Sequence, residues 1–263
     1  MAIELIDMHS HLPELEKTSF EAQAEEIEFK RKNNITTCYS CGSPKEWEEL
    51  LPFMERDEIY ATFGVHPWFA DRFNAADYMD FFRKSVAVGE IGMDGHYSKA
   101  PLSIQKRQLE MQLQIAADLN KPIVIHMDAC EKETTEIIRD FPGKKLIHWF
   151  AGEMKELEKL LEMDCCFTLG PDTEMIMNNV GVIGDAARHE VRKQLVQKVP
   201  LNRVFVETDG LDAVAWAKGV EFLPTETLAE VLKGNMSCFA AARGLTFEAL
   251  AVQMRCNFES FLQ

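Results

Sequence analysis

Short apolar runs alternate with longer amphipathic segments along the whole chain. The runs carry few polar positions, which is typical of strands that are buried on both faces of a sheet. There are eight such runs, and the expected strands lie within residues 3–8, 36–41, 59–65, 86–92, 122–127, 145–150, 165–170 and 203–209. The hydrophobic pattern therefore predicts parallel strands that are joined by helices.

The segments between the runs have residues at helical spacing. Ser43 followed by Pro44 has the composition of a helix start. A last helix, over residues 246–262, is expected to pack on the outside of the sheet. Three helical faces are predicted in this way: Phe20, Ala24, Ile27 and Arg31 within 19–33; Ile104, Met111, Ile115 and Leu119 within 104–119; and Phe247, Leu250, Met254, Phe258 and Phe261 within 246–262.

Eight strand candidates, each followed by a helix candidate, favour an α/β fold of the (β/α)8 TIM-barrel type, which takes about 250 residues. The chain has 263 residues and contains no repeat, low-complexity tract or linker-like segment, so we expect one domain over residues 1–263. An open, doubly wound sheet would show the same alternation. The positions of the polar residues favour the barrel.

Histidines and carboxylates follow the strand candidates, where a barrel carries its functional residues. His9 and His11 stand at alternate positions of the first run, so that their imidazoles point to the same face. Each such residue alone is compatible with a polar rim or a capping role, but together they predict a metal site. The set of strand-end residues is His9, His11, His66, Glu90, His126, His148 and Asp209.

The ligand types indicate which metals fit this set. Imidazoles and carboxylates without a thiolate suit Mg, Mn, Zn, Fe or Co. Six ligands, four imidazoles and two carboxylates, are too many for one tetrahedral ion that keeps an open position, so we expect two ions that share a carboxylate. Glu90 is the expected bridge, because a carbamylated lysine would need a Lys at the end of a central strand and Lys121 precedes its strand.

Composition limits the possible partners and the compartment. The net charge is −15, with 43 acidic against 28 basic residues, so we expect only weak binding of duplex nucleic acid through the outer surface. Neither a membrane span nor a secretory signal is expected. The seven cysteines indicate thiols in a reducing cytoplasm. The CxxC spacing of Cys38 and Cys41 would also permit zinc or redox chemistry.

The motifs in this order resemble the TatD family of metal-dependent deoxyribonucleases, over residues 5 to 262. The resemblance implies that His9, His11, Glu90 and Asp209 hold one divalent ion and that Glu90, His126 and His148 hold the other. It also implies that His66 contacts substrate phosphate and that DNA is hydrolysed from an end. The matching pieces are DMHSH (7–11), GVHPW (64–68), VGEIGMD (88–94), KPIVIH (121–126), LIHWFAG (146–152) and VETD (206–209).

The sequence departs from the family pattern around the substrate. Asp128 stands where the family usually has an Arg, and Gly210 and Leu211 follow the ETD motif in place of a small residue and Pro. Only Pro224 remains of an Asn-Glu-Pro motif, and a long stretch, 171–190, precedes the helix after the seventh strand. An Asp in place of the Arg removes a bidentate phosphate contact.

The expected activity is hydrolysis by a water activated between two ions of Mg, Mn or Zn, with Asp209 as the general base and Glu90 as the shared ligand. The expected substrates are DNA ends or short oligonucleotides. One alternative is an amidohydrolase-type enzyme for a small amide, lactone or phosphoester, which the acidic surface and the missing Arg favour. A binding protein with a relict metal site is a third possibility, which the complete ligand set disfavours.

Overall fold

The computed structural model describes residues 3–15, 18–54, 59–181 and 185–263. Its strands form one sheet in the order β1 to β8, and the strand pairs given below are parallel. The fold is the predicted (β/α)8 barrel. Within the described residues the strands are β1 (Leu5–Ser10), β2 (Ile35–Cys41), β3 (Tyr60–Phe63), β4 (Ala87–Asp94), β5 (Ile123–Asp128), β6 (Lys145–Ile147), β7 (Cys166–Leu169) and β8 (Val204–Val206).

Helices follow the strands in alternation, and the last two close the chain. They are α1 (Phe20–Lys32), α2 (Pro44–Met54), α3 (Met79–Lys84), α4 (Leu102–Asp118), α5 (Glu131–Ile138), α6 (Met154–Glu162), α7 (Thr173–Asn178), α8 (Ala186–Lys198), α9 (Leu211–Lys218), α10 (Glu226–Ala242) and α11 (Phe247–Leu262). Across the described ranges, no helix is long and apolar enough to cross a membrane. No disulfide joins the cysteines in this part of the chain.

The chain divides into two compact units. The first comprises Met1–Tyr39 and Thr168–Ser260, and the second comprises Ser40–Phe167 and Phe261–Gln263. Each unit carries its own strand pairings and its own share of the predicted site residues. That residues 1–263 act as one domain stays a prediction.

In the first unit, β1 lies between β2 and β8. Its register pairs Leu5 with Ile35 and Asp7 with Thr37. On the other side the backbone N–H of Asp209 donates to the carbonyl of His9 over 3.0 Å. All six residues of β1 are buried, as expected for a strand covered on both faces.

In the second unit, β4 is the longest strand and all eight of its residues are buried. It pairs with β3 through Thr62 and Ala87, and with β5 as far as Asp94 and Asp128. The β4–β5 register shifts between Val88 and Ile91, which brackets Glu90. The irregularity therefore falls at the residue that the sequence singled out as the metal bridge.

Several helix predictions are confirmed. The helix α2 begins at Pro44, and the Ser43 hydroxyl accepts the N–H of Glu46 over 3.3 Å, as a helix-capping residue does. In α11, Leu250, Met254, Phe258 and Phe261 are buried. The stretch 171–190 is not one long connection, because α7 lies inside it and α8 begins at Ala186; residues 182–184 of that stretch lie outside the described residues.

The predicted faces of α1 and α4 are confirmed in part, because each has one buried residue and most of the other predicted residues are partly buried. Phe20 and Arg31 are exposed, whereas α1 buries Gln23, Glu26, Ile27 and Lys30. Of the residues predicted for α4, Ile115 is buried, but the buried face also contains Gln105, Gln108 and Gln112. The helices exist where periodicity places them, but they bury polar side chains that have partners elsewhere in the chain.

The glutamines of α4 hold backbone groups of the second unit. Gln112 accepts the N–H of Val65 over 2.6 Å and donates to the carbonyl of Val65 over 3.1 Å. Gln105 accepts the N–H of Asp94 over 2.8 Å and donates to the carbonyls of Asp94 and Ala100. Both ends of each amide are thus used, which fixes α4 against the segment before His66 and the end of β4.

A buried lysine of α1 connects this helix to β1 in the first unit. The Lys30 ammonium lies 3.2 Å from Asp7 and 3.3 Å from Glu26, and it donates to the Ser10 hydroxyl over 2.8 Å. Burial alone lowers the pKa of Lys30, but the nearby Tyr39, Asp7 and Glu26 outweigh it and hold this pKa above its ordinary value. The lysine is therefore charged, and it compensates the buried carboxylates.

Asp7 also contacts Thr208, the residue before Asp209. Its carboxylate accepts the backbone N–H of Thr208 over 2.8 Å and the Thr208 hydroxyl over 2.7 Å. Lys30, Asp7 and Thr208 thus join α1, β1 and the segment after β8. Two of the predicted metal ligands, His9 and Asp209, lie within two residues of this network.

We expect Lys30→Met to destabilise the protein by about 3–5 kcal/mol, because it leaves buried carboxylates without their cation while keeping most of the unbranched side chain. Lys32→Met is the matched control: Lys32 lies on the same helix, is exposed, and pairs with the exposed Glu28. The control should change stability by less than about 0.5 kcal/mol. Urea unfolding measures both, and a loss below about 1 kcal/mol in Lys30→Met would contradict the role given to the ion pair.

Candidate metal centre

The structure places most of the predicted site residues at or just beyond strand ends. His9 is the fifth of the six residues of β1, and His11 directly follows the strand. His148 directly follows β6, and His66 and Asp209 each lie three residues beyond β3 and β8. In these cases the short strand and the connection after it together carry the functional side chain.

Glu90 does not end its strand, and this prediction is wrong. It is the fourth of eight residues in β4, which continues to Asp94. The strand continues because, beyond the register shift, Gly92, Met93 and Asp94 pair with β5. His126 likewise lies inside β5, two residues before its end. Gly92 is required beside His126, because its φ is 154° and a Cβ atom there would lie 1.8 Å from the His126 carbonyl oxygen.

The first unit brings together His9, His11 and Asp209, which we call the first histidine group. The Asp209 Oδ1 atom lies 3.3 Å from His9 Nε2 and 3.4 Å from His11 Nε2. The two imidazole rings stand edge to face, with centroids 5.1 Å apart. His9 is buried, whereas His11 and Asp209 are partly exposed, so the group has a closed side and an open side.

The backbone around Asp209 explains how its carboxylate reaches both histidines. Asp209 has a φ of 57°, in the left-handed region that Asp adopts more readily than most residues. Gly210 follows with a φ of 84°, and a Cβ atom on it would lie 2.8 Å from the His11 carbonyl oxygen. A glycine at position 210 is thus needed for this close approach.

The second unit brings together His66, Glu90, His126 and His148, which we call the second histidine group. The Glu90 Oε1 atom lies 2.8 Å from His126 Nδ1 and 2.7 Å from His148 Nε2, and these two nitrogens are 3.2 Å apart. His66 Nε2 lies 3.4 Å from the same oxygen. Three imidazoles therefore converge on one buried carboxylate oxygen.

The protonation of His66 distinguishes it from the other two histidines of this group. Its Nδ1 atom accepts the backbone N–H of Trp68 over 3.2 Å. A neutral imidazole that accepts at Nδ1 carries its proton on Nε2. The atom that faces Glu90 is then a donor, which suits a hydrogen bond to a carboxylate or a phosphate better than a bond to a metal.

Asp94, which the sequence reasoning did not assign a role, supports the second histidine group. Its Oδ2 atom lies 3.2 Å from His126 Nε2 and accepts the Trp68 indole N–H over 2.6 Å. A carboxylate on one ring nitrogen fixes the tautomer that leaves the other nitrogen, here Nδ1, as a metal ligand. The sequence signal for Asp94 is its place as the last residue of the VGEIGMD motif.

The electrostatics of the second histidine group favour a positive charge. Burial disfavours the charged form of His126, but hydrogen bonds to Asp94 and Glu90 outweigh it and raise the pKa of His126 to about 9. The pKa of Asp94 lies below its ordinary range, because hydrogen bonds from His126 and Trp68 outweigh its burial. The Asp94 carboxylate is therefore charged and stabilises a cation beside it. A potential that stabilises an imidazolium also attracts a divalent ion.

The donor set and its spacing fit such an ion. Ligand atoms at about 2.1 Å from a tetrahedral zinc lie about 3.4 Å apart. The three ligand atoms of Glu90, His126 and His148 are separated by 2.7 to 3.2 Å. Small outward rotations would open this triangle to the required size. His66, whose Nε2 atom is a donor, borders this set, since one ring nitrogen or carboxylate oxygen from each of His66, Glu90 and His126 lies within 4.8 Å of the others.

Asp128 has a partner of its own in the second unit. Its Oδ2 atom lies 3.1 Å from Nδ1 of His96, which follows β4. This carboxylate occupies the position at which the resemblance would imply an arginine for the substrate. The side chain therefore belongs to the surroundings of the second histidine group, but it offers no positive charge to a phosphate.

Comparisons with known proteins assign the family. The family described as "TatD related DNase" matches residues 6–263. The human protein "3'-5' RNA nuclease TATDN2" is 32% identical over 232 residues, which cover 78% of this chain but 28% of that protein. The Escherichia coli (strain K12) "Uncharacterized metal-dependent hydrolase YcfH" is 25% identical, over 97% of this chain and 94% of the relative.

A comparison of structures supports the fold. The crystal structure of YJJV, a TatD homologue from Escherichia coli K12, superposes with a TM-score of 0.79 and covers 99% of this chain and 98% of that one, at 19% identity. The fold and the site together thus define the class of protein: a (β/α)8 barrel with histidines and carboxylates at or near its strand ends. The chain belongs to the TatD family.

We expect Asp94→Asn to weaken the binding of a divalent ion about 10- to 100-fold, because the carboxylate that orients His126 is neutralised. Asp80→Asn is the control, since Asp80 is an exposed partner of Arg83 in the same unit. Competition of Zn²⁺ or Mn²⁺ with a metal-sensitive dye measures both variants. Equal affinity in wild type and Asp94→Asn would show that Asp94 does not support a ligand.

Proposed function

We propose that this chain is a metal-dependent nuclease that hydrolyses phosphodiester bonds at the ends of single-stranded DNA or RNA. The observation that carries the proposal is the convergence of His126 and His148 on the buried Glu90 in a chain of the TatD family. RNA is included because the human relative is named a 3'-5' RNA nuclease, and DNA because of the family description. We infer the same 3'-to-5' direction.

We propose two divalent ions of Mg, Mn or Zn, with the ligand assignment that the family resemblance implies. His9, His11, Glu90 and Asp209 would hold one ion, and Glu90, His126 and His148 the other. The donor types of both histidine groups support this assignment. Ions bound there would lower the pKa of a water and polarise the phosphoryl group.

The protein's own side chains would complete the reaction. Asp209 would orient the attacking water and accept its proton at a carboxylate oxygen. The Nε2–H of His66 would donate a hydrogen bond to a phosphoryl oxygen, which is supported by the acceptor role of its Nδ1 atom. Asp94 would keep the His126 ring in place through Nε2.

The charge of the chain favours strand ends over long duplexes. With a net charge of −15, the outer surface releases few counterions from a polyanion, so positive charge would be concentrated at the ions themselves. A terminal phosphodiester of a single strand can reach such a site without laying a duplex along the acidic surface.

A cytoplasmic location is proposed as well, supported by the lack of a disulfide in the described part of the chain.

We expect the purified protein to carry up to two divalent ions per chain. Glu90→Ala should lose bound metal and turnover together, because the Glu90 carboxylate would be the ligand that both ions share. Glu110→Ala is the control, since Glu110 is an exposed carboxylate on α4. Elemental analysis before and after titration with Mn²⁺ or Zn²⁺ measures the metal. A wild type that takes up no ion, or a Glu90→Ala variant with both ions and normal turnover, would contradict the assignment.

We expect Asp209→Ala to reduce the rate of nuclease cleavage about 100- to 10,000-fold, the usual range for a general base. Single-stranded DNA and RNA oligonucleotides with a label at the 5' end would show the ladder of a 3'-to-5' enzyme. Asp140→Ala, at an exposed carboxylate, should cleave like the wild type. Hydrolysis of a small amide, lactone or phosphoester without any cleavage of oligonucleotides would favour the amidohydrolase alternative instead.

A further inference from the structure

Three aromatic side chains are exposed next to the second histidine group. Trp68 lies two residues after His66 and is 45% exposed, and Tyr97 is 54% exposed. The His96 side chain is 56% exposed. The His96 and Tyr97 rings are stacked with centroids 4.1 Å apart, and the Tyr97 and Trp68 rings are 6.3 Å apart. We call Trp68, His96 and Tyr97 the aromatic rim.

Hydrogen bonds hold the aromatic rim in place although its rings face solvent. The Asp94 carboxylate accepts the backbone N–H groups of His96 and Tyr97 over 2.7 Å each, together with the Trp68 indole N–H over 2.6 Å. The Ser98 hydroxyl donates to the carbonyl of Pro67 over 2.9 Å, which ties the two rim segments together. A surface fixed in this way loses little conformational entropy when a ligand binds.

The aromatic rim is continuous with the side chains at which we propose the reaction. The Trp68 ring lies 5.1 Å from the His66 ring, and the His66 ring lies 4.7 Å from the His126 ring. Asp94 contacts both Trp68 and His126 through the same oxygen, Oδ2. A ligand on the rim is therefore adjacent to a group held on His66 or beside His126.

We propose that the aromatic rim stacks a base of a single-stranded nucleic acid whose phosphodiester lies at the second histidine group. This inference rests on the proposed nuclease function and adds the subsite that holds the base. Stacking on aromatic rings is the usual way in which proteins hold single strands without reading their sequence. A base inside a duplex is stacked on its neighbours, so the rim would select an unpaired end.

The charges around the aromatic rim favour a base over a phosphate as its occupant. Asp128 lies 3.1 Å from His96, and Asp94 lies beneath the rim. These carboxylates oppose a phosphate, but they do not oppose a neutral base. In a chain with a net charge of −15, stacking also supplies affinity that does not depend on surface cations.

The test uses the metal-loaded protein and two single strands of eight thymidine nucleotides with phosphorothioate linkages that resist cleavage. One strand is complete, and the other has abasic sites at its last two positions at the 3' end. Tyr97→Ala should weaken binding of the complete strand about 5- to 100-fold and leave binding of the abasic strand unchanged. Tyr97→Phe, which keeps the ring, should bind both strands like the wild type.

Two controls separate the aromatic rim from a general loss of fold or of bound metal. Val252→Ala, at an exposed apolar side chain on α11, should leave binding of both strands unchanged. The content of divalent metal, measured by elemental analysis, should be the same in Tyr97→Ala and wild type. Binding is measured by fluorescence anisotropy of a label at the 5' end.

The outcomes distinguish this inference from the proposed function. A Tyr97→Ala variant that binds the complete strand as tightly as the wild type, or that loses affinity for both strands equally, overturns the stacking subsite and leaves the nuclease proposal intact. A wild type that neither binds nor cleaves single strands overturns the nuclease proposal, and the stacking subsite with it.

Discussion

The hydrogen bonds of one buried carboxylate, Asp94, organise the second unit around its candidate metal site. The carboxylate meets His126 and Trp68 through one oxygen and the backbone after β4 through the other. A buried carboxylate is costly unless it is well hydrogen-bonded, and this one has several donors. The orientation of the proposed metal ligand His126 and the position of the exposed rings therefore depend on the same charged group.

In the first unit, an ion pair with Lys30 compensates the buried carboxylate of Asp7. Asp7 Oδ2 accepts from Lys30 and from the Thr208 hydroxyl, and Oδ1 accepts the Thr208 backbone N–H, so its charge is balanced and both oxygens have a donor. His9 and Asp209 stand near the two ends of this arrangement. In both units a buried Asp that is not itself a proposed ligand connects proposed ligands to the helix or loop that supports them.

The strands and the candidate ligands could be predicted from sequence, whereas the supporting residues could not. Runs of apolar residues reveal buried strands, and His9, His11 and His126 stand out because histidines are few. The buried faces of α1 and α4 contain Lys30, Gln105 and Gln112, whose partners are far away in the chain. Hydrophobic periodicity cannot detect such residues. Glu90 was identified as a site residue, but its place in the middle of β4 follows from a register shift that no local pattern encodes.

The glutamines of α4 recognise the backbone of their neighbours and not their side chains. Gln112 uses both polar groups of Val65, and Gln105 uses those of Asp94 together with the carbonyl of Ala100. A contact of this kind persists when the side chain of the partner is replaced. The segments that surround the candidate site can therefore diverge during evolution while the scaffold beneath them is retained. Substrate preference within this fold can change by substitutions in those segments without new supporting contacts from α4.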